Sequence, residues 1–175
     1  MMFNFFLKLS STVRSKDSFF PHFKPFFYGF TLLLSMVLGG CLTGPPLPKV
    51  NLSEPGWNIR QGQAVWRTKK DAPDIAGEVL AATRADGSAF VQFTKTPFPF
   101  AIAQMSPRGW QIEFPPQNKH FAAPGSPPAR IVWFQLANAL LERPVAKGWT
   151  WSNSDTNWRL KNSSSGESLE GYFTQ

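Results

Sequence analysis

From Trp57 onward, the sequence is divided into short apolar runs separated by turn residues. Two of these runs, Ile75 to Arg84 and Ala89 to Thr94, flank the tight-turn sequence Ala85 to Ser88. A third, Trp110 to Phe114, alternates strictly, so that its three apolar side chains point one way. Short alternating runs joined by tight turns predict the strands of an antiparallel meander. Further candidate strands are Gln63 to Arg67, Phe100 to Met105, Gly148 to Trp151, Trp158 to Lys161 and Ser168 to Phe173.

One segment, Ile131 to Glu142, breaks the strand pattern and predicts a helix. Its polar residues are Gln135, Asn138 and Glu142, whose spacing forms one narrow stripe on an otherwise apolar helix. Such a helix must be covered on two sides or must line a cavity. The residues expected to delimit it are a capping serine, a proline at the first helical position and a proline beyond the end: Ser126, Pro127 and Pro144.

The first 40 residues differ in composition from the rest. Residues 1–25 are basic, and an uncharged apolar run from Phe26 to Leu38 follows. A basic stretch, an apolar run and small residues before a cleavage point are typical of a secretory signal peptide.

The end of that run, Leu38-Gly39-Gly40-Cys41, resembles the lipobox of bacterial lipoproteins. The resemblance implies that signal peptidase recognises Leu38, Gly39 and Gly40, and that Cys41 becomes an N-terminus carrying a diacylglycerol and a fatty acyl chain such as palmitate. Two or three acyl chains anchor a protein stably, whereas one is marginal. The alternative is an uncleaved anchor helix, because Phe26 to Leu42 is near the short limit for spanning a bilayer.

The expected organisation is therefore a signal peptide over 1–40, a tether over 41–56 and a domain over 57–175. The tether contains four prolines, which favour extended chain. Leu42 follows the cysteine, where an aspartate often signals retention in the inner membrane of diderm bacteria. Its absence favours an outer-membrane anchor, with the domain facing the periplasm.

The sequence offers little chemistry. A single cysteine excludes an internal disulfide and a structural zinc site that needs two thiolates. His120 is predicted to lie in a loop, as a solvated side chain, and Asp71 and Asp74 are too few to predict a cation site. Residues 41–175 carry 14 basic and 10 acidic side chains, a net charge of +4, on which nucleic-acid binding is possible, but the compartment argues against it. We expect no enzyme activity, no cofactor, no metal and no nucleic-acid partner.

The arrangement of these elements resembles the outer-membrane lipoprotein receptor of the lipoprotein-localisation (Lol) pathway and its periplasmic carrier. The segments that carry the resemblance are Leu38 to Cys41, Ala76 to Leu80, Phe90 to Phe93, Ile131 to Leu141 and Gly148 to Leu160. The resemblance implies a mainly β fold: a curved antiparallel sheet, or incomplete barrel, with one long helix on its concave face. It also implies a hydrophobic cavity that holds acyl chains, and a membrane-contact loop, for which Phe98 is the candidate.

The leading expectation is an outer-membrane-anchored monomer of envelope biogenesis, with a cavity for acyl chains or lipoproteins. The predicted cavity residues are Val91, Phe93, Trp110, Ile112, Phe114, Trp133, Phe134 and Leu140. The alternative is an assembly scaffold whose concave face is filled by its own side chains and whose working surface is an edge strand or the Lys69-Lys70 rim. A third possibility, a small envelope hydrolase, requires His120 beside a serine or carboxylate in a cleft.

Overall fold

A single antiparallel sheet dominates the computed structural model, which describes residues 46–154 and 157–174. Nine strands are present in this part of the chain: β1 (Trp57–Arg67), β2 (Ile75–Arg84), β3 (Ala89–Lys95), β4 (Phe98–Ser106), β5 (Gly109–Phe114), β6 (Lys119–Pro124), β7 (Trp149–Asn153), β8 (Trp158–Asn162) and β9 (Ser168–Thr174). Their order in the sheet is β6-β5-β4-β3-β2-β1-β9-β8-β7. The predicted meander is confirmed over β1 to β5.

The first and last strands hold the sheet together. β1 pairs with β2 on one side and with β9 on the other, and Val65 lies opposite Glu170. The meander of β1 to β6 is thereby joined to a second meander of β7 to β9. Within the described residues β6 and β7 are the two edges, and the sheet is not closed.

Each strand buries alternate side chains, as the period of two requires. In β3, Ala89, Val91 and Phe93 are buried, whereas the residues between them are half-buried. The register places Val91 between Ala81 of β2 and Ala103 of β4, which are also buried. We call this side of the sheet the core face and the opposite side the outer face.

One α-helix, α1 (Val132–Leu140), is present in the described residues and contacts β2, β3, β4 and β8. The predicted helix was longer, and its predicted start was wrong. The chain turns at Pro128, where the Ile131 amide donates to the Pro128 carbonyl, and an extended Ile131 then leads into the helix without a side-chain cap. Ser126 and Pro127 therefore lie outside α1.

The structure also corrects the loop prediction for His120, because this residue belongs to strand β6. A 3-10 turn over Pro115–Gln117 ends at Asn118 in the left-handed conformation, and β6 then returns along β5. The sequence of β6 lacks an apolar alternation, since its first three residues are all exposed. An edge strand held by main-chain pairing with one neighbour leaves no strong pattern in the side chains.

Candidate functional site

The predicted cavity residues form part of the hydrophobic core. Five of them are at most 2% exposed: Val91, Phe93, Ile112, Trp133 and Phe134. The other three are half-buried and pack against this core: Trp110, Phe114 and Leu140. The eight residues therefore lie together, packed in the core or against it.

Ring contacts fill the space between α1 and the core face. The Trp133 ring stacks on Phe93 with centroids 5.1 Å apart and meets Trp66 edge-on at the same centroid distance. Phe134 meets Trp110 edge-on at 5.5 Å. These are the offset and edge-to-face geometries that aromatic pairs favour. The helix therefore occupies the space next to the sheet with its own side chains.

The polar stripe predicted on α1 is only partly solvated. Gln135 is 2% exposed, and its Oε1 accepts a hydrogen bond of 2.8 Å from the Ala146 amide. The buried Gln135 side chain thus has the hydrogen-bond partner that a buried polar group needs, and that partner is the backbone that follows the helix. Gln135 fastens the α1–β7 connection to the core.

The membrane-contact candidate lies at a hairpin tip. Phe98 begins β4 directly after a cis peptide bond between Thr96 and Pro97, and it is 71% exposed. A second aromatic side chain, Phe121 of the edge strand β6, is 46% exposed. Both are large apolar groups that the fold presents to solvent.

The groups considered for catalysis or metal binding are engaged elsewhere or stand apart. His120 Nε2 on β6 lies 4.0 Å from Glu113 Oε1 on the neighbouring β5, and both side chains are well exposed. Asp74 accepts two hydrogen bonds from Arg67, of 2.7 and 2.9 Å, which hold the pKa of Asp74 below its usual range. No cluster of three or more potential metal ligands occurs in the described residues.

The Lys69-Lys70 rim is held by a main-chain hydrogen bond to the turn between β8 and β9. The Lys70 amide donates to the Ser165 carbonyl at 3.1 Å, which docks the β1–β2 connection on the turn between β8 and β9. Both lysine side chains are exposed. The rim is therefore a fixed basic edge.

A half-buried carboxyl group at this turn was not predicted from the sequence. Glu167 accepts a hydrogen bond of 2.9 Å from the Trp66 indole, and burial raises the pKa of Glu167 above its ordinary value. Trp66 in turn contacts Trp133 of α1. The only signal in the sequence is a glutamate directly before a strand, which predicts no such partner.

A second missed feature fastens the tether to the outer face. The Leu47 amide donates to Gln111 at 2.7 Å, Gln104 donates to the Pro48 carbonyl at 2.9 Å, and the two glutamines are joined by a hydrogen bond of 3.0 Å. Both glutamines are more than nine-tenths buried. The predicted spacer is thus docked at residues 47 and 48. Cys41 and the residues Leu38, Gly39 and Gly40 lie outside the described residues.

Three concavities of the described residues lie on the outer face, away from α1. Two of them, of about 430 and 410 Å³, share Gln63, Glu78 and Tyr172 and run across β9, β1, β2 and β3. We call this pair the outer trough. A third, of about 500 Å³, adjoins it at Glu170 and extends over β8 to Ser152 of β7. None of the three is lined by a predicted cavity residue.

No helix in the described part of the chain is long and apolar enough to cross a membrane. Comparison with known protein families and with curated proteins finds no match for the chain.

Proposed function

We propose that the chain is an envelope lipoprotein, anchored through acyl groups on Cys41, whose domain serves as a non-enzymatic assembly scaffold. The observation that carries this proposal is the packing of Trp133 against Phe93 and Trp66. Residues that would have to line an acyl-binding cavity are instead in contact with one another. A domain with this core works through its surface.

The contacts of α1 support a sheet that curves around the helix. β3 and β8 both contact α1, although three strands lie between them in the sheet. At about 4.8 Å per strand, a flat sheet would separate β3 from β8 by roughly 19 Å. Nine helical residues extend about 14 Å, so a curved sheet explains the contacts better than a flat one.

Two glycines give this curvature a local cause. A Cβ atom on Gly62 of β1 would collide with the carbonyl oxygen of Tyr172, and one on Gly171 of β9 would collide with the carbonyl oxygen of Gln63. Glycine marks such places in a strand, where another backbone approaches closely. We propose that these positions bend the sheet and that α1 packs against the resulting concave face.

The outer edge of β7 is the proposed docking surface for a protein partner. Trp149–Asn153 contains no charged residue and no proline, whereas β6 begins at Lys119 and ends at Pro124. Charge and proline protect an edge strand from pairing with another chain. β7 lacks both, so it suits a partner that adds a strand through main-chain hydrogen bonds.

Site-specific photo-crosslinking in native membranes tests this surface. A crosslinker at Thr150 on β7 is expected to capture one discrete protein, and a matched crosslinker at His120 on β6 is expected to capture none. Adding the edge charge Ser152→Lys should abolish the Thr150 product, since strand addition would then place a lysine in the interface. Equal products from β6 and β7, or a product insensitive to Ser152→Lys, would contradict the proposal.

Binding of acyl chains or lipoproteins is the second candidate function. The observation that favours it is that the ends of α1 lack polar stabilisation. The helix has no side-chain cap at its start, no acidic residue in its first turn and no basic residue in its last. A helix held mainly by apolar contacts can move away from the sheet and admit a chain. Hydrogen exchange with and without a fatty acid tests this, since displacement must accelerate exchange of the α1 amides.

Phe98 is proposed to touch the membrane on which the domain is anchored. Its side chain stands at a hairpin tip, beside the exposed Lys95, so that an apolar group and a cation meet the bilayer surface together. Phe98→Ser should reduce binding of the unit 42–175 to anionic vesicles. Phe121→Ser, which changes an exposed aromatic on another strand, is the matched control.

A further inference from the structure

The outer trough carries polar side chains that the protein itself does not use. Within residues 46–154 and 157–174, the side chains of Gln61, Gln63 and Glu78 make no hydrogen bond or ion pair. Gln92 donates to Thr94 at 3.1 Å and keeps its amide oxygen unused. Amides both donate and accept, and carboxylates accept, so the trough offers both kinds of group to a ligand.

An aromatic ring lies where the two concavities of the outer trough meet. Tyr172 lines both of them and is 40% exposed, and its hydroxyl group makes no hydrogen bond within the described residues. A partly exposed tyrosine offers an apolar ring and a polar tip to the same ligand. Beside it, Gly171 and Gly77 leave backbone as the floor of the trough.

The position of the trough in the sheet restricts how a ligand is recognised. β1 and β2, which provide most of its lining, each pair with a strand on both sides. Their main-chain groups are therefore engaged in the sheet ladders, and a ligand cannot add as another strand. Recognition must come from side chains that project from the outer face.

The charges of the trough exclude one further ligand class. Glu78 and Glu170 are its ionisable side chains apart from Tyr172, and Arg159 at its border is paired with Glu170 at 3.0 Å. Without an unpaired cation in the lining, the trough does not suit a phosphate-rich polyanion.

We infer that the outer trough is a binding site for an uncharged glycan chain. Sugar C–H groups pack on the Tyr172 ring, and the hydroxyl and acetamido groups hydrogen-bond to Gln61, Gln63 and Glu78. Two connected concavities of about 430 and 410 Å³ suit adjacent units of a polymer better than one compact molecule. This site uses neither the edge of β7 nor the core, so it stands independently of the scaffold proposal.

The test uses the full chain purified in a zwitterionic detergent, because sugar-based detergents would compete for the site. The probe is a soluble oligomer of N-acetylglucosamine, titrated by calorimetry and by NMR of the glutamine side-chain amides. Saturable binding with shifts at Gln61, Gln63 and Gln92 is expected. Tyr172→Ala should weaken it about tenfold, the value of one aromatic contact.

Two further variants keep the result interpretable. Gln63→Ala should also weaken binding and leaves the aromatic ring in place, which covers the case in which Tyr172→Ala disturbs folding. Phe121→Ala, which removes an exposed aromatic from β6, should bind as the unaltered chain does. The inference is overturned if the oligomer does not saturate the protein, if shifts fall outside the trough, or if a lysine-rich peptide binds there while the oligomer does not.

Discussion

The substitution Trp133→Ala tests whether α1 is part of a filled core. Trp133 is 1% exposed and contacts Phe93 and Trp66 through its ring. A buried tryptophan removes about 150–250 Å² from water, and about 25 cal/mol per Å² gives roughly 4–6 kcal/mol. Alanine retains a small part of this area, so we expect a loss of about 4 kcal/mol, within the usual range for tryptophan truncation.

Urea unfolding of the unit 42–175, followed by far-ultraviolet circular dichroism, measures this loss without relying on tryptophan fluorescence. With a slope of about 2 kcal/mol per molar urea, the midpoint should fall by about 2 M. Phe98→Ala is the matched control: the ring is 71% exposed, so its removal should change stability by less than about 0.5 kcal/mol. A loss below about 1 kcal/mol for Trp133→Ala would refute a filled core, since it would mean that the ring is not packed.

Three other predictions concern groups outside the core. Burial raises the pKa of Glu167, so its protonated form favours the fold; Glu167→Gln, which can still accept from Trp66, should be at least as stable as the natural chain at pH 7. Ionisation of Glu167 lowers the free energy of unfolding of the natural chain as pH rises through the raised pKa, so the two proteins should become equally stable below about pH 4. Urea unfolding across pH measures this, and a stability difference that stays constant with pH would contradict it. Gln111→Leu should expose the Leu47 amide to rapid hydrogen exchange while lowering stability by only about 1 kcal/mol; continued protection of that amide would show that the tether is held otherwise. Mass spectrometry of the native protein should find Cys41 as the N-terminus, carrying a diacylglycerol and an acyl chain, and an intact leader on the mature chain would refute the anchor. The Cys41→Ser protein should be absent from the membrane fraction.

The strands were predictable where burial on one face forces alternation. Ile75 to Arg84 begins and ends where the sequence indicates, because Val79 and Ala81 must face the core while Glu78 must not. β6 was not predictable in this way, since it lies at an edge and its first three side chains are exposed. Its pairing depends on main-chain hydrogen bonds to β5, which any residue except proline can make.

The predicted cavity residues were identified as a group, but the sequence left open whether they line a cavity or fill a core. Apolar pattern places Phe93 and Trp133 on facing surfaces, yet the distance between those surfaces depends on how the strands and the helix pack. A centroid separation of 5.1 Å is a property of the fold that periodicity does not contain. The same holds for long-range polar contacts: Glu167 lies 101 residues from Trp66, and Leu47 lies 64 residues from Gln111.

Titration of the unit 42–175 with a fluorescent fatty acid tests the filled core most directly. We expect no saturable binding at micromolar concentrations for the natural sequence, because Trp133 and Phe93 occupy the space between α1 and the sheet. Saturable micromolar binding that is lost when Phe93 or Phe134 is changed would contradict the scaffold proposal and would establish acyl-chain binding in its place.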